Sequence, residues 1–377
     1  MRRLRMKKKC LSICLSLALA VTATFVCPQN QTVAKAAVLD FADAVQVTFN
    51  TTYQGMVPAK TYEDSQYKYK LSVEDAGLLE IDAQGTPDYY IYDDNGDRLE
   101  RVWVGDNAEN DTKLYLSAGD YYVRIGGNDK DADKYFSIVF TFASSKESFA
   151  EKNGVTNDEF SLANKIKLGT SYKGQFMSCG SDTNAIIDAY DYYVFDVPMK
   201  GQVNLTLNVR DLIGNGAPFY EIYDAQKNPI VNGHIWISEG SSATASCELE
   251  KGTYYLLVRN EIAVKYGFPG FAYDFKLDYK ATAKTAVSTA TQNGSKATVK
   301  FKKVPGAKKY IVYYSTSKSF SAKTTKQVTT TKTTVTLNKL NGTKTYYVKV
   351  KPVTVSDGKT YNGSASAKKA VKKPGGH

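Results

Sequence analysis

The chain has 377 residues, 42% of them hydrophobic, with 49 Lys+Arg against 38 Asp+Glu and only two histidines. So few imidazoles leave little scope for Ser-His-Asp, Cys-His or His-ligated zinc chemistry. The net +11 is unevenly laid: residues 1–36 hold seven Lys+Arg and no acid, 37–280 hold 22 against 37 (net −15), and 281–377 hold 20 Lys against Asp357 alone (net +19). Asymmetry of that size bears on partners, not on fold.

Arg2, Arg3, Arg5 and Lys7 to Lys9 make a cationic head, residues 11–26 an apolar stretch, and Ala34-Lys35-Ala36 a small-x-small cleavage site. A secretory signal, 1–36, is therefore predicted. The apolar stretch is interrupted by Ser12, Ser16, Thr22 and Thr24 and is short for a bilayer that needs about 20 apolar residues. Val26 is not the small residue that lipid attachment at Cys27 requires, and no later stretch is apolar enough to span, so no transmembrane anchor is expected after cleavage. Three of the five cysteines leave with the signal. The remaining two, Cys179 and Cys247, lie in one repeat and have no counterparts in the other, so the fold does not need them joined. Export permits a disulfide, and bonded or free stays open.

Two stretches then repeat. Ser117-Ala-Gly-Asp-Tyr-Tyr-Val-Arg-Ile125 is answered by Glu250-Lys-Gly-Thr-Tyr-Tyr-Leu-Leu-Val258. Upstream, residues 40–44 align with 159–163 and residues 51–55 with 170–174. Tyr69, Leu71 and Val73 match Tyr193, Phe195 and Val197, and 90–93 match 221–224. The offset grows in steps at polar, Gly-rich places, as it does when loops lengthen and strands persist. Val203, Leu205 and Leu207 alternate with Gln202, Asn204 and Thr206, the period of a strand with one wet face. Asp94-Asn95-Gly96 signals a tight hairpin. A helical turn is expected near Asp158 to Asn164, with Asp158 as its cap.

Asn157-Asp158, Asp191-x-Tyr193-x-Phe195, Tyr223-Asp224, Leu249-x-x-Gly252-Thr-Tyr-Tyr255, and Tyr273 with Phe275 together resemble the bacterial pre-peptidase C-terminal domain family. The resemblance implies jelly-roll-like β-sandwiches at 37–142 and 157–280, joined by a linker at 143–156. It also implies secreted accessory modules, often found beside hydrolases, some binding calcium or matrix polymers. The first copy departs from the pattern, with Tyr67 where the second has Asp191.

Beyond 281, Ala297, Val299 and Phe301 alternate with lysines and a threonine, and Tyr310 to Tyr314, Thr334 to Leu337 and Tyr346 to Lys351 read as further strands. Leu340 followed by Tyr346 has the spacing of a tyrosine corner. With Val304-Pro-Gly-Ala307 before a Tyr-rich strand, residues 281–373 resemble a fibronectin type III domain, Phe301 standing where such domains carry a core Trp. A tail, 374–377, follows. The expected fold class is all-β: two jelly-roll-like sandwiches in tandem and an Ig-like sandwich.

His234 sits in a strand-edge context, and no phosphate-cradling Gly loop or zinc spacing occurs, so no catalytic residue is assigned. Asp129, Asp131 and Asp133 alternate in one loop with Lys130 and Lys134, which reads either as a solvated acidic loop or as a calcium site. Six Tyr-Tyr pairs place one ring inward and one outward, offering Tyr122 and Tyr255, with Trp103 and Trp236, as ligand-facing aromatics or as half-buried strand residues. Lys349 and Lys351 represent the basic field of the last domain. The expected function is a secreted, non-catalytic binding or adhesion protein, noncovalently associated with the cell wall. Its sandwiches contact glycan or extracellular protein, and its Lys-rich domain a cell-wall or host polyanion. The alternative is an extracellular hydrolase of glycan or peptide carrying these accessory domains. Export and the lack of Arg and stacking motifs argue against nucleic acid.

Overall fold

The computed structural model describes residues 40–58, 67–85, 88–102, 110–126, 133–150, 156–178, 188–210, 218–234, 242–260 and 270–373. The predicted signal segment lies outside them. No described helix is long and apolar enough to cross a membrane.

The first repeat contributes β1 (Val45–Gln46), β2 (Thr52–Val57), β3 (Tyr67–Val73), β4 (Gly77–Gly85), β5 (Tyr89–Tyr92), β6 (Arg98–Val102), β7 (Asn110–Leu116), β8 (Gly119–Ile125) and β9 (Lys134–Ser144). They form two sheets, β1-β3-β8-β5-β6 and β2-β9-β4-β7. The second contributes β10 (Asn164–Lys165), β11 (Ser171–Phe176), β12 (Tyr190–Val197), β13 (Gly201–Arg210), β14 (Pro218–Asp224), β15 (Pro229–His234), β16 (Ser242–Leu249), β17 (Gly252–Asn260) and β18 (Phe271–Ala281). Its sheets, β10-β12-β17-β14-β15 and β11-β18-β13-β16, repeat that order strand for strand. Even the opening parallel pair keeps register: Val45 lies opposite Tyr69, and Asn164 opposite Tyr193.

The alternation seen in the sequence becomes the core. Along β13, Val203, Leu205, Leu207 and Val209 are buried, while Gln202 and the intervening residues face outward. The Tyr-Tyr pairs of the repeats obey the same parity: Tyr89, Tyr121, Tyr193 and Tyr254 are buried and their neighbours half-exposed. The first hairpin turns where expected. Asp93 Oδ1 accepts from the backbone N–H of Asn95 and Asp97 at 2.9 and 2.8 Å, and Gly96 takes φ +81°. Asp224 repeats this with Gln226 and Asn228. The helical turn is a 3-10 turn, Phe160–Leu162, capped by Glu159 without a side-chain hydrogen bond. Asp158 is not its cap, because its carboxyl is packed among other buried acids.

The last region contains β19 (Val287–Asn293), β20 (Lys296–Phe301), β21 (Lys309–Ser315), β22 (Thr325–Thr330), β23 (Thr334–Leu337), β24 (Tyr347–Ser356), β25 (Lys359–Asn362) and β26 (Lys369–Ala370). One sheet is β19-β20-β23; the other is β22-β21-β24-β25, with β26 also on β24. Phe301 is buried and packs on Tyr310 at 4.8 Å, and Tyr346 Oη accepts from Asn341 N–H at 3.1 Å, pinning the loop ahead of β24. Three hydrophobic clusters are centred one in each repeat and one in the last region, the arrangement of an all-β chain of tandem sandwich-type units.

The repeats are stitched together. Ser178 N–H donates to Tyr115 O, Ser178 Oγ accepts from Tyr115 N–H, and Gln175 Nε2 donates to Leu116 O at 2.9 Å. Tyr115, on the edge strand β7, is thereby buried.

Candidate functional site

Strand pairing builds a basic, aromatic surface on the last region. Tyr313 on β21 lies opposite Lys349 on β24, and Ile311 opposite Lys351. On both strands these positions alternate with buried Tyr310, Val312, Val348 and Val350, so they share the sheet's outer face. Lys349 Nζ stands 5.6 Å from the Tyr313 ring centroid and 4.4 Å from that of Phe320. Lys351 Nζ is 5.9 Å from Tyr313, and Lys318 Nζ 5.8 Å from Tyr347. Such contacts are worth about 0.5–1 kcal/mol when exposed and hold the ammonium groups over the ring faces. Among the described residues, no lysine beyond 283 forms an ion pair. This face is positive and uncompensated.

The other aromatic candidates are used internally. Tyr122 stacks on Phe41 with centroids 4.4 Å apart, and Tyr255 meets Phe160 edge-on at 5.2 Å. Phe41 and Phe160 are equivalent residues of the two repeats, so each repeat covers the outward ring of its pair with the same phenylalanine. Trp103 and Trp236 lie outside the described residues, as do Asp129, Asp131 and Cys179; Asp133 is exposed just before β9. Cys247, half-buried on β16, carries a free thiol whose pKa burial pushes up.

A second constellation is buried. Asp188 is enclosed, with Oδ2 accepting from Met177 N–H at 2.7 Å; desolvation first, then the charge of Asp191, holds its pKa well above the usual range. Asp191 accepts from the Tyr273 hydroxyl, which shares a 2.7 Å hydrogen bond with the Tyr193 hydroxyl. Burial and the nearby Asp191 push Glu147 and Asp158 each up to about 8. Asn157 is wholly buried with neither side-chain amide atom hydrogen-bonded, and Asp188 Oδ1, Asp158 Oδ1 and Gln175 Oε1 are likewise unpartnered. All of these atoms but Asn157 Nδ2 are hard oxygens, the kind calcium takes, and Asn157, Asp158 and Asp188 are the residues that would offer them to the ion. As the side chains stand, no three His, Cys, Asp or Glu converge in ligating geometry among the described residues. In the first repeat, Tyr67 replaces Asp191 and packs edge-on against Phe136 at 4.9 Å, so an aromatic contact stands where the second repeat has a carboxylate.

No family model matches the chain, and no curated protein does. Distant likenesses to solved structures cover parts of it. The pre-peptidase C-terminal domain of a collagenase from Bacillus anthracis is 20% identical, covering 31% of this chain and 94% of that domain, with a TM-score of 0.23. A two-domain fibronectin type III segment of chicken tenascin is 16% identical over 48% of this chain and 97% of that one, with a TM-score of 0.27. The adhesin domain of Epf from Streptococcus pyogenes is 12% identical over 55% and 81%, with a TM-score of 0.34.

Sequence reasoning raised calcium only for the Asp129 loop, beside its reading as a solvated acidic loop, and passed over the buried acids. The available signal was the pair Asp188 and Asp191 joined to Asn157-Asp158 in one repeat only. It was hidden because sequence does not tell a buried aspartate from a solvated one.

Proposed function

We propose that this chain is an exported, non-catalytic binding protein of three sandwich domains, 37–142, 157–280 and 281–373, whose last domain holds an anionic extracellular polymer. The observation that carries this reading is the Lys349–Lys351 face, with ammonium groups seated over Tyr313 and Phe320 in a region whose one carboxylate, Asp357, pairs with neither. Rings fix the cations and leave their outer sides open to sulfate, phosphate or carboxylate groups. The hydrolase alternative gains less support, since Asp188 and Asp191, at the centre of the acidic cluster, are buried. The test is binding of the 37–377 chain to an immobilised anionic polysaccharide. The double variant Lys349→Glu, Lys351→Glu should weaken it about tenfold, while Cys247→Ala should leave it unchanged. Equal binding by wild type and the double variant would dismiss the face.

A second reading concerns calcium, supported by the unpartnered oxygens of Asn157, Asp158 and Asp188. Calcium there would fasten the start of the second domain to β12 and the loop before it. Millimolar calcium should then raise the melting temperature of wild type by several degrees, through ligation of the folded state alone. Asp188→Asn should abolish the rise. If Asp129→Asn with Asp133→Asn abolishes it instead, the ion belongs to the first repeat's acidic loop.

A further inference from the structure

The junction between the second repeat and the last region is firmly built. Met199 is wholly buried in the last region's hydrophobic cluster, and Lys200 O accepts from Thr282 and Ala283 N–H, each at 3.0 Å. Lys359 Nζ donates to Leu168 O and Gly169 O, each at 3.3 Å, and Tyr279 meets Tyr361 edge-on at 4.9 Å. Gly306, at φ +82°, lies so near the second repeat that a Cβ there would stand 1.9 Å from Pro198 O. These contacts tie the two bodies together on either side of the joint.

A cleft of about 530 Å³ is walled by both bodies, with Lys251 on one side and Lys303 and Lys308 on the other. All three lysines are exposed, and none of their ammonium groups makes a hydrogen bond or ion pair among the described residues. The carboxylate in the lining, Asp196, is already engaged, by Lys165 at 3.4 Å and by the Thr253 hydroxyl at 2.7 Å. Three uncompensated cations fixed around one concavity raise the local concentration of an anion and reward its entry. Val355, 45% exposed, gives the floor an apolar surface suited to the carbon face of a sugar ring.

We infer that this cleft is an anion subsite that receives one charged sugar unit of a linear anionic polysaccharide. The inference rests on the polyanion reading above and deepens it. Strand β24 carries Lys349 and Lys351 at one end and contributes Thr354 to Ser356 to the cleft at the other. The step from Lys351 to Val355 is about 13 Å along a strand, so one oligosaccharide of several units reaches both.

The test uses the 37–377 chain and three labelled probes of matched length: a heparin hexasaccharide, a hexagalacturonate and a glycerol-phosphate hexamer. They separate sulfate, carboxylate and phosphate as the source of charge. Lys303→Glu with Lys308→Glu should lower affinity for the preferred probe about tenfold, whereas Lys332→Glu with Lys344→Glu, the same charge change away from the cleft, should lower it much less. Gly306→Ala, which must push the two bodies apart, should reproduce the cleft variant's loss with every lysine retained. Unchanged affinity in the Lys303/Lys308 variant, or an equal loss in the Lys332/Lys344 control, would overturn the subsite. A hexaglutamate peptide bound as tightly as the best sugar, and lost in the same variant, would overturn the polysaccharide assignment. If Lys349→Glu with Lys351→Glu loses binding while the cleft variant does not, the cleft fails and the face stands. Failure of wild type to bind any probe would remove both.

Discussion

The hydroxyl of Tyr172 accepts from the Lys167 backbone N–H at 2.8 Å, and that of Tyr53, its equivalent, accepts from Thr48 N–H at 2.7 Å. Tyr310 does the same for Val304 at 2.9 Å, and Tyr346 for Asn341 at 3.1 Å. In each case a ring anchored in or beside a core pins a loop a few residues upstream by accepting from one of its backbone donors. Tyr therefore serves this chain as a strand former with a polar tip, which explains part of its abundance without a ligand. Tyr172→Phe, which keeps the ring and deletes the acceptor, should cost about 1 kcal/mol. Urea unfolding at pH 7 measures it; an unchanged midpoint would show that Lys167 N–H finds equal partners in water.

The elements that frame the buried acids, β12, the loop before it and the segment entering the second repeat, bring together more carboxyl groups than their surroundings can hold as anions. Glu147 and Asp158, pushed up to about 8, keep protons in the folded protein that the unfolded chain releases above its ordinary carboxylate pKa. The folded state thus binds more protons over that window. Its stability from these groups is full below about pH 4, falls as pH rises and is lost above about 8. In chelator, Glu147→Gln should gain stability relative to wild type from pH 5 to pH 8. A difference constant across that range would mean that Glu147 titrates normally. At this scale the sequence was most legible, and its limits are physical. Strand alternation exposed β3, β12 and β13 because period two is a local property. The hairpin at Gly96 was equally local. Burial is not local: nothing near Asp188 in sequence announces that it is enclosed, or that Asp158 turns inward instead of capping the 3-10 turn. The Phe41 and Phe160 lids over Tyr122 and Tyr255 were hidden for the same reason, since each comes from a distant part of its repeat.

Across the whole molecule, the repeats carry 22 Lys+Arg against 37 acids and the last region 20 Lys against one. The uneven charge was readable from composition. The placement of Lys349 and Lys351 over aromatic rings needed the pairing of β21 with β24, and the fixed joint at Gly306 needed the contact with Pro198. The last region packs on the second repeat through Met199, Lys200 and Lys359 and carries the positive face. Its attraction for a polyanion should be electrostatic in origin and therefore screened by salt, with the Debye length falling from about 14 Å at 50 mM to about 4 Å at 500 mM. The most direct measurement is retention of the 37–377 chain on an immobilised anionic polysaccharide at those two salt concentrations. Strong retention at 50 mM that is largely lost at 500 mM, and weakened at 50 mM by Lys349→Glu with Lys351→Glu, is the predicted result. Absence of retention at 50 mM, or retention indifferent to both salt and the double variant, would contradict it.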